Sequence, residues 1–205
     1  IKVDWPSFHK KYMSVRAEQL EWQKKTLREY DTKERVARTL NALGSKVSPD
    51  SAVVRKATDD QYASYMDYIE MEKEVPKILR DLRSKRKLGL ITNFSHPPAI
   101  YSILKRFGLS EFFDVILISR EVGWVKPSPK IFQVALSSLH LRSNQCVFVG
   151  DDAEADIKGA KDVGMKTIFV SKRGSTCEDA DATIHHLTEL PSAVDKLEKR
   201  DHFPG

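Results

Sequence analysis

Residues 146–170 read CVFVGDDAEADIKGAKDVGMKTIFV, and this stretch decides the predicted fold. An apolar run from Cys146 to Val149 leads into a glycine and an acidic turn, and a second apolar run ends at Val170. Two such runs separated by a helical segment predict a βαβ unit with parallel strands. In an open parallel sheet, ligands bind at the carboxyl ends of the strands. The stretch therefore places an acidic turn where such a sheet binds its ligands.

Three aspartates in this turn, Asp151, Asp152 and Asp156, are the first candidate site residues. Carboxylates this close repel one another in a partly dehydrated crevice, so they call for a cation. Hard oxygen ligands suit Mg²⁺, and we take all three as candidate metal ligands. The alternative is that Asp152 caps the following helix and that Asp156 lies on its solvated face.

Composition favours an ordinary globular chain. The 205 residues are sufficient for an α/β domain with a smaller module, and they contain no apolar run long enough to span a bilayer. The net charge of +5 comes from scattered lysines and arginines with one short cluster at residues 83–87, which is typical of a solvated surface. No secretory signal is recognisable at the amino end. We therefore expect a cytoplasmic protein with neither a nucleic-acid nor a membrane partner.

The pattern of elements changes after about seventy residues. The first part carries only helical spacing, with one helix predicted to begin at Asp31 and another at Ser48 and Pro49. The later part alternates strands with helices, which predicts a parallel sheet. This change predicts a domain boundary near residues 71–75.

Further polar residues follow the predicted strands at their carboxyl ends. Thr92 and Asn93 end one strand, and Lys126 lies in the loop after the next. A hydroxyl, an ammonium and a carboxylate at one edge are what phosphoryl transfer requires: they bind phosphate, offset its charge and hold Mg²⁺. Taken singly, Lys126 is equally explained as a solvated loop lysine and Thr92 as a strand-end hydroxyl.

Three segments carry a family resemblance. In order they are ITNFS at residues 91–95, GWVKPSPKIF at 123–132 and VFVGDDAEADIKGAKDVGM at 147–165. They resemble the second, third and fourth motifs of the haloacid dehalogenase (HAD) superfamily, in its branch with a helical cap. The resemblance implies an α/β fold with a Rossmann-like core and a parallel sheet, residues 73–205, and an α-helical cap, residues 1–72.

The resemblance also implies roles for the candidate residues. Thr92 and Asn93 would bind phosphate, and Lys126 would stabilise the nucleophile and the substrate charge. Asp151 would bind Mg²⁺, while Asp156 would support the metal site or orient Lys126. The implied activity is Mg²⁺-dependent hydrolysis of a small phosphorylated metabolite through an aspartyl-phosphate.

One motif of the family has no counterpart in these 205 residues. The family's first motif is a strand ending in Asp-x-Asp, which supplies the nucleophile and runs between the strands ending at Thr92 and Val149. We therefore expect an N-terminally truncated chain that is inactive by itself. Two alternatives are a catalytically inactive HAD-fold binding protein and a haloacid dehalogenase. The acidic Asp151 argues against the dehalogenase, because displacement of halide by a carboxylate has no use for Mg²⁺.

Overall fold

The computed structural model describes residues 3–172 and 174–200. In chain order the helices are α1 (Trp5–Thr26), α2 (Thr32–Ala42), α3 (Ala52–Met66), α4 (Val75–Arg83), α5 (Pro97–Arg106), α6 (Ser119–Val122), α7 (Pro129–Leu139), α8 (Gly159–Asp162) and α9 (Leu190–Arg200). The strands are β1 (Gly89–Thr92), β2 (Val115–Ile118), β3 (Val147–Gly150), β4 (Lys166–Val170) and β5 (Ala182–Ile184). A π-helical turn, Ala153–Lys158, leads directly into α8.

Two compact units divide the chain. The first, here called the helical unit, comprises the chain up to Glu70 together with Asn93–Arg106 and Ile118–Val125. The second, here called the sheet unit, comprises Met71–Thr92, Phe107–Leu117 and the chain from Lys126 onward. The division into a cap of residues 1–72 and a core of residues 73–205 stays a prediction. The compact units differ from it by placing two later segments with the helices.

Polar contacts explain why the first of these segments joins the helical unit. The hydroxyl of Ser95 lies 2.7 Å from that of Thr32 and 2.8 Å from that of Tyr62, and all three share hydrogen bonds. The ring of His96 stacks on Tyr62 with 4.2 Å between centroids. The chain that follows β1 is therefore held by α2 and α3.

Local caps and turns set where α2 and α3 of the helical unit begin. The carboxylate of Asp31 accepts a hydrogen bond from the backbone N–H of Lys33 and begins α2, as predicted. The prediction that Ser48 and Pro49 begin the next helix is wrong, because α3 begins at Ala52 with Ser51 as its N-cap residue. A turn in which Ser51 N–H donates to the carbonyl of Ser48 delays the helix. Val54 of α3 packs against Val36 and Ala37 of α2.

The sheet unit contains two separate sheets. Strands β1 and β2 form one, and β3, β4 and β5 form the other, in which both pairings are parallel. Helices α4 and α9 cover the second sheet through a core of Ile78, Leu82, Ile168, Ile184, Leu190, Val194 and Leu197. The α/β fold with a parallel sheet is thus confirmed.

Strand β3 is less buried than its neighbour. Its four residues are all half-buried, whereas Thr167, Ile168 and Phe169 of β4 are buried. Among residues 3–172 and 174–200, no strand pairs with the second edge of β1 or of β3. A cavity of 430 Å³ is lined by residues of both strands, including Gly89, Ile91, Val147 and Val149. The two strand edges therefore border an apolar groove within the sheet unit.

Candidate active site at the strand ends

Lys126 connects the two sheets of the sheet unit. Its side chain is only 12% exposed, and its ammonium lies 2.6 Å from Oδ1 of Asp156. The same ammonium donates a hydrogen bond to the carbonyl of Ile91 at 3.3 Å and lies 5.4 Å from the centroid of the Phe148 ring. Because Ile91 belongs to β1 and Phe148 to β3, the lysine contacts both strands that border the groove. Lys126 is therefore not a solvated loop lysine.

Asp156 is the anion at the centre of this arrangement. Its side chain is 6% exposed, which rules out the alternative that it lies on a solvated helix face. Its Oδ2 accepts hydrogen bonds from the backbone N–H of Asp151 at 3.1 Å and of Asp152 at 3.2 Å. Two amides and one ammonium thus stabilise the ionised carboxylate, which in turn fixes the turn after β3.

Gly150 makes the approach of Asp156 possible. A Cβ atom at position 150 would lie 2.3 Å from Oδ2 of Asp156 and 2.4 Å from its Cβ and Cγ. No side chain fits in that space, so only glycine allows the carboxylate to reach the end of the strand. The glycine between Val149 and Asp151 is therefore a structural requirement of the acidic turn.

The other two aspartates have different partners. Asp152 is the N-cap of the π-helical turn, and its Oδ1 accepts from the backbone N–H of Glu154 at 3.0 Å and of Ala155 at 2.8 Å. The structure therefore shows the helix cap that was the alternative explanation for this residue. Asp151 is exposed at the end of β3, and its carboxylate contacts the ammonium of Lys172.

The predicted phosphate-binding residues, Thr92 and Asn93, belong to different units. Thr92 is the last residue of β1 and is half-buried in the sheet unit. Asn93 is exposed and belongs to the helical unit. Within the sheet unit, the structure brings Lys126 to Asp156 and to the carbonyl of Ile91, next to Thr92.

The aspartates do not form a complete metal site by themselves. In the described part of the chain, no group of three or more His, Cys, Asp and Glu side chains could hold a metal ion. The carboxylate of Asp156 already accepts hydrogen bonds from backbone amides and pairs with Lys126. The carboxylate of Asp152 already caps the π-helical turn. Asp151 fits a single ligand position, with an exposed carboxylate at the strand end. Mg²⁺ usually keeps several waters and binds through one or two protein carboxylates, so this donor set fits part of such a site.

Lys172 is the contact that the sequence analysis missed. It follows β4 by two residues, and β4 lies directly beside β3. The same rule that selected Thr92 and Asp151, the carboxyl end of a parallel strand, would have selected it. Because Ser171 intervenes and the loop is polar, the residue resembled ordinary surface.

Comparisons with known proteins agree with this geometry. A family model described as haloacid dehalogenase-like hydrolase matches residues 10–170. The chain belongs to the haloacid dehalogenase-like hydrolase family. The predicted family membership and HAD fold are thereby confirmed.

Two curated relatives of this HAD chain are named as phosphatases. Ribulose-1,5-bisphosphate 5-phosphatase of Halopiger xanaduensis is 30% identical over 148 residues, which is 66% of this chain and 62% of that protein. Glyceraldehyde 3-phosphate phosphatase of Pyrococcus furiosus is 33% identical over 136 residues, which is 63% of this chain and 56% of that protein. The chain thus spans less than two thirds of the length of either relative.

A solved structure shows the same fold. The 2-haloacid dehalogenase from Pseudomonas syringae pv. Tomato DC3000 superposes with a TM-score of 0.72 at 24% identity, over 95% of this chain and 82% of that one. At this level of identity the likeness concerns the fold alone. Among the described residues of the HAD chain, no helix is both long and apolar enough to cross a membrane.

Proposed function

We propose that this protein is a phosphatase that hydrolyses a small phosphorylated metabolite with Mg²⁺ as its cofactor. The observation that carries the proposal is the position of Lys126, whose ammonium is held between Asp156 and the carbonyl of Ile91 next to Thr92. An ammonium fixed in a largely buried position can stabilise a developing negative charge without reorganising at the moment of reaction. The names of the two phosphatase relatives support the same reaction class.

The proposal assigns a role to each residue at the strand ends. Thr92 and Asn93 bind the phosphate oxygens, and Lys126 offsets their charge. Asp156 orients Lys126 through the 2.6 Å ion pair. Asp151 holds Mg²⁺, which supplies a second positive charge when bound. Asp152 shapes the turn through its helix cap. The aspartyl-phosphate intermediate is part of the proposal and rests on the family resemblance. Its nucleophile would come from an Asp-x-Asp segment that has no counterpart in these 205 residues, so the activity assays use the chain fused behind a strand that ends in Asp-x-Asp.

The exposed carboxylate of Asp151 favours phosphate over halide. A phosphate ester carries negative charge that a Mg²⁺ ion held by this carboxylate would offset, whereas displacement of halide from a neutral carbon needs no divalent cation. A binding protein without turnover would keep the same charges, so only an activity measurement separates it from the phosphatase. Small phosphorylated metabolites are the proposed substrates, in line with the named relatives.

A lysine substitution tests the proposal. We expect Lys126→Met to lower kcat/KM for p-nitrophenyl phosphate by about 100-fold or more, as the loss of one preorganised donor does in other hydrolases. Lys24→Met is the matched control, because Lys24 forms an exposed ion pair with Glu21 on α1. Lys126→Arg keeps a positive charge beside Asp156 and shows whether the fold tolerates a substitution at position 126. Unchanged hydrolysis by a folded Lys126→Met protein would contradict the proposal.

A further inference from the structure

A buried serine joins two loops of the helical unit. The hydroxyl of Ser119 is fully buried and accepts a hydrogen bond from the backbone N–H of Phe94 at 2.8 Å. The same hydroxyl donates its proton to Oε2 of Glu29. Phe94 directly follows Asn93, and Ser119 is the first residue of the short helix α6, which precedes Lys126 in the chain. The relay from Phe94 through Ser119 to Glu29 thus ties together segments distant in sequence.

The carboxylate of Glu29 uses both of its oxygens. Oε1 accepts hydrogen bonds from Nε2 of Gln23 and from the backbone N–H of Tyr30, each at 2.9 Å. Burial nevertheless raises the pKa of Glu29 above its usual value, against the opposing effect of the hydrogen bonds from Ser119 and Tyr30. An ionised carboxylate at this place therefore costs the folded state free energy.

The backbone around Glu29 pairs with the segment that precedes Lys126. The N–H of Glu29 donates to the carbonyl of Gly123 at 3.2 Å, and the N–H of Val125 donates to the carbonyl of Leu27 at 3.0 Å. The guanidinium of Arg28 lies 3.6 Å from the centroid of the Trp124 ring. The short loop between α1 and α2 therefore pairs with residues 123–125 through backbone hydrogen bonds on both sides of the isolated β-bridge between Arg28 and Trp124.

We propose that Glu29 is a positioning residue, which acts through Ser119 and the pairing with Gly123 to fix two segments of the helical unit, the one that carries Asn93 and the one that ends at Val125, before Lys126. This inference rests on the proposed function, in which Asn93 and Lys126 bind and neutralise phosphate. Displacing a substrate-contacting group by about 1 Å can cost 100-fold in rate, so a distant anchor of both segments has a measurable effect.

The test compares four variants of the full chain, each fused behind a strand that ends in Asp-x-Asp so that activity can be measured. Glu29→Ala removes the acceptor of the Ser119 proton, and Ser119→Ala removes the link to Phe94. Glu29→Gln keeps an oxygen that can accept from Ser119. Glu21→Gln is the matched control, because Glu21 is an exposed carboxylate on α1 that pairs only with Lys24 among the ion pairs of the described residues.

Two measurements are made on each variant. In Glu29→Ala and Ser119→Ala we expect the Phe94 amide to exchange hydrogen about tenfold faster or more, because its hydrogen bond loses support. For Glu29→Ala we also expect kcat for p-nitrophenyl phosphate to fall about tenfold at nearly unchanged KM, since mispositioned groups act on the transition state. Glu29→Gln should recover most of both quantities, and Glu21→Gln should equal the wild type.

The outcomes separate this inference from the proposed function. Normal exchange at Phe94 in Glu29→Ala and Ser119→Ala would overturn the inference even in an active enzyme. A fall in melting temperature with kcat unchanged would show a merely structural role and also overturn it. If the wild type hydrolyses no phosphate ester, the proposed function fails, while faster exchange at Phe94 would still support the anchoring of this segment.

Discussion

The three aspartates of the acidic turn should differ strongly in their effect on stability. Asp156→Ala removes the partner of a largely buried lysine and the acceptor of two backbone N–H groups. Removing one member of a buried ion pair costs about 3–5 kcal/mol, because the other charge is left uncompensated. For a chain of this size, each kcal/mol shifts the melting temperature by about 2–4 °C. We therefore expect Asp156→Ala to lower the melting temperature by about 6–20 °C.

The neighbouring aspartates provide internal controls for this prediction. Asp152→Ala removes a helix cap, which typically costs about 1 kcal/mol. Asp151→Asn breaks an exposed contact, with side chains 45% and 72% exposed, and such pairs contribute at most about 1 kcal/mol. Asp156→Asn keeps an acceptor for the amides and loses only the charge opposite Lys126, so it should fall between Asp156→Ala and Asp152→Ala.

Circular dichroism during thermal unfolding measures all four variants under one condition. From the least to the most stable, we expect the order Asp156→Ala, Asp156→Asn, Asp152→Ala, Asp151→Asn. If Asp156→Ala melts within 2 °C of Asp151→Asn, the ion pair with Lys126 does not stabilise the turn, and the description of the site is wrong.

Three further predictions concern other parts of the sheet unit. Fusing an apolar strand that ends in Asp-x-Asp upstream of the chain should slow amide exchange along β3 and raise the melting temperature, because β1 and β3 border an apolar groove; unchanged exchange would show that the groove does not accept a strand. Hydrogen bonds from Arg86 lower the pKa of Glu198 and of Asp195, so their stabilisation is present above the unfolded pKa values and is lost as pH falls through the folded ones. Arg86→Ala should therefore lower the melting temperature at neutral pH, by an amount that shrinks below about pH 4, and a difference independent of pH would contradict this. Lys172→Ala should tighten Mg²⁺ binding about two- to fivefold in calorimetry, because Lys172 occupies the Asp151 carboxylate; weaker binding would mean that Lys172 does not compete.

Local patterns predicted much of the fold. Strand β4 ends at Val170, where its apolar run indicated, and Asp31 begins α2 because its capping depends only on nearby residues. The start of α3 was misplaced because Ser48 and Ser51 are both of a residue type favoured at helix starts, and the turn between them delays the helix to Ala52. Strand β3 extends to Gly150, since glycine is needed where Asp156 approaches.

The site was only partly predictable for a different reason. The carboxyl ends of parallel strands identified Thr92, Lys126 and Asp151, because that rule depends on topology alone. The partner of each charge depends on side-chain geometry over long separations in sequence, as for Lys126 with the carbonyl of Ile91. The grouping of Asn93–Arg106 with the helices likewise depends on such contacts, which periodicity does not encode.

The measurement that tests the central claim most directly is a paired assay of released phosphate and released halide. The chain fused behind a strand that ends in Asp-x-Asp is incubated with a set of small phosphate monoesters and with 2-haloacids, each in MgCl₂ and in EDTA. Our account predicts phosphate release in MgCl₂ that is abolished by EDTA and by Asp151→Asn, without release of halide. Halide release that persists in EDTA would contradict it in favour of a dehalogenase, and the absence of both products would contradict it in favour of a binding protein.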